Sequence, residues 1–235
     1  MRRQLVFALT IVGPFLVQGC ASVPGRPNTS TENYIIVPVE KEPHHKTVLK
    51  NDYLQAFRVT LESGKTSLMH THARDDASVR LSTATVAADS PGQPVGPPEP
   101  VYPGFVSARD NEANPRTHRV HNIGTTLFDV INVQVLRRPA GPTMPAISVP
   151  AAENSKMRLY SYELKPGEAT TEHTHTRPYL HVTVTDTNLR MTSTDGSSME
   201  HAVKAGDMNW VDTAVTHTIM NRGTEKAIVV EFELK

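Results

Sequence analysis

At 235 residues the chain is long enough for one large or two small domains with apolar cores of their own. Twenty-four basic and twenty-four acidic side chains cancel, which excludes long-range attraction to nucleic acid or to an acidic membrane surface. Eighteen prolines, thirteen glycines and 38% hydrophobic residues speak for turns and short strands, not for long helices.

The N-terminus carries Arg2 and Arg3, then an apolar run from Leu5 to Val17, then Gln18-Gly19-Cys20. This reads as a secretory signal whose apolar run is short for a membrane span. Cys20 is the single cysteine, so no intramolecular disulfide forms. Leu16-Val17-Gln18-Gly19-Cys20 resembles the box of bacterial lipoproteins, with a good match at Val17, Gly19 and Cys20 and a loose one at Gln18. The resemblance implies a signal over residues 1–20 and lipidation of Cys20. Since Ala21 is not aspartate, it also implies an outer-membrane anchor facing the periplasm. Ordinary signal cleavage is the alternative. Residues 21–49 follow as a tether and an N-terminal strand: small polar residues and prolines first, then an apolar run, Tyr34 to Val39, suited to an edge strand of either later unit. Glu42 to His45 reads as a loop with His44 and His45 solvated.

From Asn51 the chain repeats itself. Asn51–Gly64 aligns without gaps with Asn154–Gly167. Phe57, Val59 and Leu61 alternate with polar residues in one copy, as do Tyr160, Tyr162 and Leu164 in the other, and this period of two predicts half-buried strands. Each strand ends at a glycine and is followed by His-x-His: His70 and His72, then His173 and His175. Further strands are expected at Ser78–Ala87 and Tyr179–Thr185, and alternating closing strands at Val130–Leu136 and Val229–Lys235. Residues 87–104 form a proline-rich loop with no strand pattern. Each copy returns through His-x-x-x-Asn-x-Gly-Thr, at His118 and at His217. The expected units are 50–137 and 154–235, joined by a proline-rich linker at 138–153. Two tandem copies of short strands and turns predict an all-β protein of two closed or sandwich-like units.

Two histidines spaced by one residue on a strand point the same way. With a third histidine from a distant strand they can converge on one divalent transition metal, Fe, Mn, Ni, Cu or Zn, with positions left open for water or substrate. The candidate sets are His70, His72 and His118 in the first copy and His173, His175 and His217 in the second. Asn122 and Asn221 read as turn residues. Met208 and Trp210 share one strand face and read as core.

Gly-x5-His-x-His followed by Gly-x5-Pro-x-Gly-x2-His-x3-Asn resembles the motif pair of the cupin superfamily. The second copy matches in spacing from Gly167 and from Gly206, with Asp212 and Ala214 in place of Pro and Gly. In the first copy Gly104 stands three residues too far from His118. The resemblance covers residues 50–235 and implies a bicupin, two tandem double-stranded β-helix (jelly-roll) barrels. Cupins add a glutamate soon after the second histidine. Here Asp76 holds that place in the first copy, as a possible fourth metal ligand, and Tyr179 in the second, which leaves no carboxylate there and a three-histidine site. If Tyr179 points inward, so does His181, and these two are candidates for steering protons at the second site. The bland reading of His181 is a hydrogen-bonded barrel histidine. Arg74 and Arg177 occupy equal places after each His-x-His, as solvated turn residues or as binders of a substrate carboxylate.

Three functions follow. One is a metal-dependent enzyme, an oxidoreductase of dioxygenase or related type acting on a small organic molecule, with the better-matched second copy as its centre. Another is a non-catalytic periplasmic lipoprotein that binds a metal or small ligand. The third is a barrel pair for protein contacts with vestigial sites. The expected partners are a small-molecule ligand, the membrane through the lipid alone, and a second copy of the chain in a homodimer; nucleic acid is not among them.

Overall fold

The computed structural model describes residues 35–235. The signal, Cys20 and most of the tether lie outside the described residues. Within them the chain is strand and turn throughout, with a single 3-10 turn at Val39–Lys41 and no α-helix.

The first half forms two five-stranded sheets. One pairs β1 (Ile36–Pro38), β4 (Met69–His72), β9 (Arg116–Asn122), β6 (Ala84–Asp89) and β7 (Glu99–Val101) in that order. The other pairs β2 (His45–Lys50), β3 (Leu54–Leu61), β10 (Phe128–Val135), β5 (Asp76–Arg80) and β8 (Val106–Arg109). The second half repeats this with β11 (Ala152–Glu153), β12 (Met157–Leu164), β19 (Ala227–Leu234), β14 (Tyr179–Thr183) and β17 (Met208–Val211) in one sheet. Its other sheet holds β13 (His173–His175), β18 (Val215–Asn221), β15 (Thr187–Ser193) and β16 (Ser198–Val203). Two all-β units in tandem result, as the duplicated strand pattern predicts, and both are jelly-roll barrels, as the cupin resemblance implies.

Three expectations change in detail. The N-terminal segment joins the first barrel, since β1 runs parallel to β4 and β2 pairs with β3. The stretch read as one strand at Ser78–Ala87 divides into β5 and β6, which lie in different sheets. The proline-rich loop contains β7, an edge strand on β6 whose outer side tolerates Pro100.

The turn before each His-x-His needs its glycine. Gly64 has φ 74° and Gly167 has φ 79°, the left-handed region that other residues enter at a cost. Each turn is then held by the distant asparagine. Asn122 donates to the carbonyls of Leu61 and Thr126 and accepts from the Gly124 N–H; Asn221 does the same with Leu164, Glu225 and Gly223. These are the turn roles read for both asparagines.

The largest apolar cluster lies between the barrels. Ala77, Val79, Ile131 and Val133 from the first half meet Leu159, Leu180, Val230 and Phe232 from the second. Smaller clusters fill each barrel, around Phe57, Leu61 and Phe128 in the first and Leu164, Leu189 and Val229 in the second. Strands β10 and β19 are therefore buried on both faces along their whole length. One face of each packs against the other barrel, and the other face points into its own barrel, where the polar residues Asn132, Gln134, Glu231 and Glu233 stand.

Candidate metal centres

Strand register assembles the same frame twice. In the first barrel β4 and β9 place His70 opposite His118, and in the second β13 and β18 place His173 opposite His217. All three predicted histidines of each set come together. The His70 ring lies 4.6 Å from His118 and 5.0 Å from His72, centre to centre. The His173 ring lies 4.5 Å from His217 and 5.2 Å from His175.

The first set gains a fourth imidazole. His45, read as a solvated loop residue, begins β2 and is buried, its ring 4.7 Å from His70. Donor nitrogens of His45, His70 and His72 all lie within 4.8 Å of one another. Three of the four rings are oriented through Nδ1: His45 on Glu42 at 2.7 Å, His70 on the Leu68 carbonyl at 2.8 Å, and His72 on Asp76 at 2.6 Å. A proton held at Nδ1 leaves the lone pair at Nε2, the arrangement of a metal-binding histidine. Asp76, expected as a ligand, spends its carboxylate on orienting His72 and on accepting from Asn132. Burial holds His70 down to about 4 and lowers His118 further, Arg116 adding to the effect there, so both stand neutral at pH 7. Buried Nε2 of His70 and both ring nitrogens of His118 have no hydrogen-bond partner. Buried polar atoms left without a partner cost free energy unless something binds them. A cavity of about 210 Å³ opens beside them, lined also by Arg80, Arg109, Arg116 and Phe105.

The second set is not the three-histidine site expected from the sequence. Glu231 on β19 enters the cluster, fully buried, and supplies the carboxylate that Tyr179 does not. Its Oε2 lies 2.9 Å from His175 Nε2 and 3.2 Å from His173 Nε2, and its Oε1 lies 3.4 Å from His217 Nε2. His173 and His217 bring their Nε2 atoms to 3.0 Å. Ligand atoms in adjacent positions around one ion at about 2.1 Å stand roughly 3.0–3.4 Å apart, so this donor set fits a single metal. Glu233 accepts from His175 Nδ1 at 2.7 Å and fixes that ring. Burial alone would lower His175, but the two glutamates push it up to about 9, and the four surrounding histidines hold Glu231 well below the usual carboxylate range despite its burial.

Tyr179 and His181 do point inward. Tyr179 stacks on His175 with ring centres 3.9 Å apart and closes the site from one side. His181 is buried, its Nδ1 3.7 Å from Glu231 Oε1. Burial, with Glu231 adding to it, raises the Tyr179 hydroxyl above its ordinary range. The two post-motif arginines go elsewhere. Arg74 is exposed, and Arg177 is buried and donates to the carbonyl of Ala140 in the linker.

The barrels differ most at matched positions. Asn132 and Gln134 of β10 stand where β19 has Glu231 and Glu233. Asp76 pairs with Arg109 and His72 with Arg116, whereas Tyr179 pairs with Val211 and His175 with Val215. The three surplus residues noted before His118 fall in the loop 110–115. Gly104 donates to Arg80 as Gly206 does to Thr183, so the two glycines are equivalent and the extra length lies beyond them.

No family model and no curated protein sequence matches the chain. Solved structures do. AerE from Microcystis aeruginosa aligns over 83% of this chain and 98% of its own, at 10% identity and TM-score 0.53. The S161A mutant of Bacillus subtilis oxalate decarboxylase OxdC aligns over 78% and 69%, at 13% identity and TM-score 0.50. A cupin 2 conserved barrel domain protein from Leptotrichia buccalis aligns over 80% and 87%, at 11% identity and TM-score 0.47. At such identities the likeness is one of architecture alone, and AerE and the decarboxylase share with this chain the two-barrel, all-β cupin fold.

Proposed function

We propose that the protein is a metal-dependent enzyme acting on a small organic molecule, with its reaction centre in the first barrel. The observation that carries this reading is the set of buried, unpartnered imidazole nitrogens of His70 and His118 beside an open cavity. Clustered, buried histidines with space beside them match a catalytic metal site, which keeps positions for substrate. His70, His72 and His118 hold the ion, His45 stands as a fourth donor, and Asp76 and Glu42 fix the rings. Bound there, a divalent transition metal supplies Lewis acidity or dioxygen chemistry. The second barrel holds a further ion through His173, His175, His217 and Glu231. Four protein ligands under a stacked tyrosine make that site closed, which is the structural type. This reverses the expectation that the better-matched second copy carries the reaction.

Elemental analysis of purified protein tests the reading. Wild type is expected to carry two ions per chain, and His70→Ala/His118→Ala and His175→Ala one each. Wild type free of metal, or variants that keep both ions, would sink it.

We also propose export and lipid anchoring at Cys20, which rests on the first twenty residues alone. Cys20→Ser is expected to move the protein from the detergent-extracted membrane fraction to the soluble periplasmic one. An unchanged partition removes the anchor.

A further inference from the structure

The first cavity contains three arginines, and the second barrel has none at the matched places. Arg80 lies on the inward face of β5 with Asp76 and Ser78. Arg109 ends β8 opposite Asp76, and Arg116 begins β9 opposite His72. Directly paired residues on antiparallel strands have Cβ atoms about 4.5–5.5 Å apart, so both guanidinium groups are held within a side chain's length of the imidazole cluster. In the second barrel these positions are Thr183, Val211 and Val215.

The arginines are not used up by the protein. Among the described residues, Arg109 and Arg116 have no hydrogen-bond or ion-pair partner for their side chains. Arg80 donates one bond to Ser78 Oγ, lies over the rings of Phe105 and Phe128, and leaves its buried Nε without a partner. Two carboxylates share the lining. Asp76 is taken by His72 and Asn132, and Glu99 is an exposed residue of the edge strand β7. Three guanidinium groups against one uncommitted carboxylate leave the pocket short of an anion.

The approach to the pocket repeats the pattern. Arg109 and Arg116 also line an outer polar cleft with Ser90, Asp110, Asn111 and Asn114, where the one carboxylate, Asp110, accepts from the Ser155 N–H. They flank the loop 110–115, which carries the surplus residues of the first barrel. The same two cations thus face both the outside and the interior. Deeper in, the walls turn apolar at Val59, Leu61, Phe128 and Val130.

We propose that the first barrel takes a small organic carboxylate with an apolar body, admitted between Arg109 and Arg116 and held by them with Arg80. A guanidinium fork matches the two oxygens of a carboxylate, and the apolar wall takes the remainder of the molecule. The site rests on the functional reading above for its role as a substrate site, though carboxylate binding itself does not require the metal.

Calorimetric titration of the full-length protein with benzoate and butyrate tests it, with benzamide and butyramide as uncharged counterparts of the same shape. Metal content is measured on the same samples. The carboxylates are expected to bind at least about tenfold more tightly than the amides, and Arg109→Gln and Arg116→Gln are each expected to remove about tenfold or more with metal content unchanged. Arg109 is exposed, so its variant leaves the core untouched. Equal binding of acid and amide, no saturable binding of either acid, or variants that bind the acids as wild type does would overturn the proposal. Carboxylate binding by protein that holds no metal would leave this inference standing and remove the enzymatic reading.

Discussion

The residue that most alters the picture is Glu231. A carboxylate buried among four histidines can hold a metal ion together with them, and without an ion it makes ion pairs. In metal-free protein the proton on His175 is then part of the fold. The sign follows from His175 being raised to about 9 in the folded state, above an unfolded value near 6.5. Its stabilisation is complete below about pH 6.5 and disappears as pH rises through about 9. Chelator-treated protein is expected to lose on the order of 2–3 kcal/mol across that window in urea melts, and Glu231→Gln to flatten the dependence. Stability that stays level from pH 6 to 9.5 in chelated wild type counts against a protonated His175. Glu231 was hidden in the sequence for a physical reason. On a strand whose alternation is half-buried, acids are assigned to solvent, but here Val230, Phe232 and Leu234 face the other barrel and the acids face inward. His45 was missed because its neighbours Pro43 and His44 read as loop, although the buried Glu42 three residues before it is the group that fixes its ring.

At the scale of elements, the period-two strands, the paired glycine turns and the His-x-His spacing were all legible, because each is a local property of the backbone. The pairing of His70 with His118 and of His173 with His217 followed from the repeat itself. The arginines were not legible as a group. Arg80, Arg109 and Arg116 are spread over three strands and an irregular spacing, and only the β5–β8 and β4–β9 registers bring them to one pocket. Arg74 and Arg177 drew attention instead because they stand in equal places after the motif, yet they sit where the strands have already turned away. The loop 110–115 explains the imperfect motif. Its surplus residues do not disturb the frame, since the Gly104 to Arg80 bond and the His70 to His118 pairing are both kept.

Across the whole molecule, the barrels share their largest apolar cluster, so neither can unfold without exposing the other's face. A scanning calorimeter is expected to record one transition for both halves. Phe232→Ala, in the middle of that cluster, should cost about 3–5 kcal/mol and lower the single transition as a unit. Two resolved transitions, or loss of the second half alone, would show that the shared core does not couple them.

Asn154 opens the second repeat, and its carboxamide donates to the backbone carbonyls of Asp76 and Arg109 in the first. Its neighbour Ser155 donates to Asp110 and Asp75, and Lys156 reaches Glu112. One half of the duplication therefore serves as a buttress for the doorway of the other. The first barrel expressed alone would lack this brace.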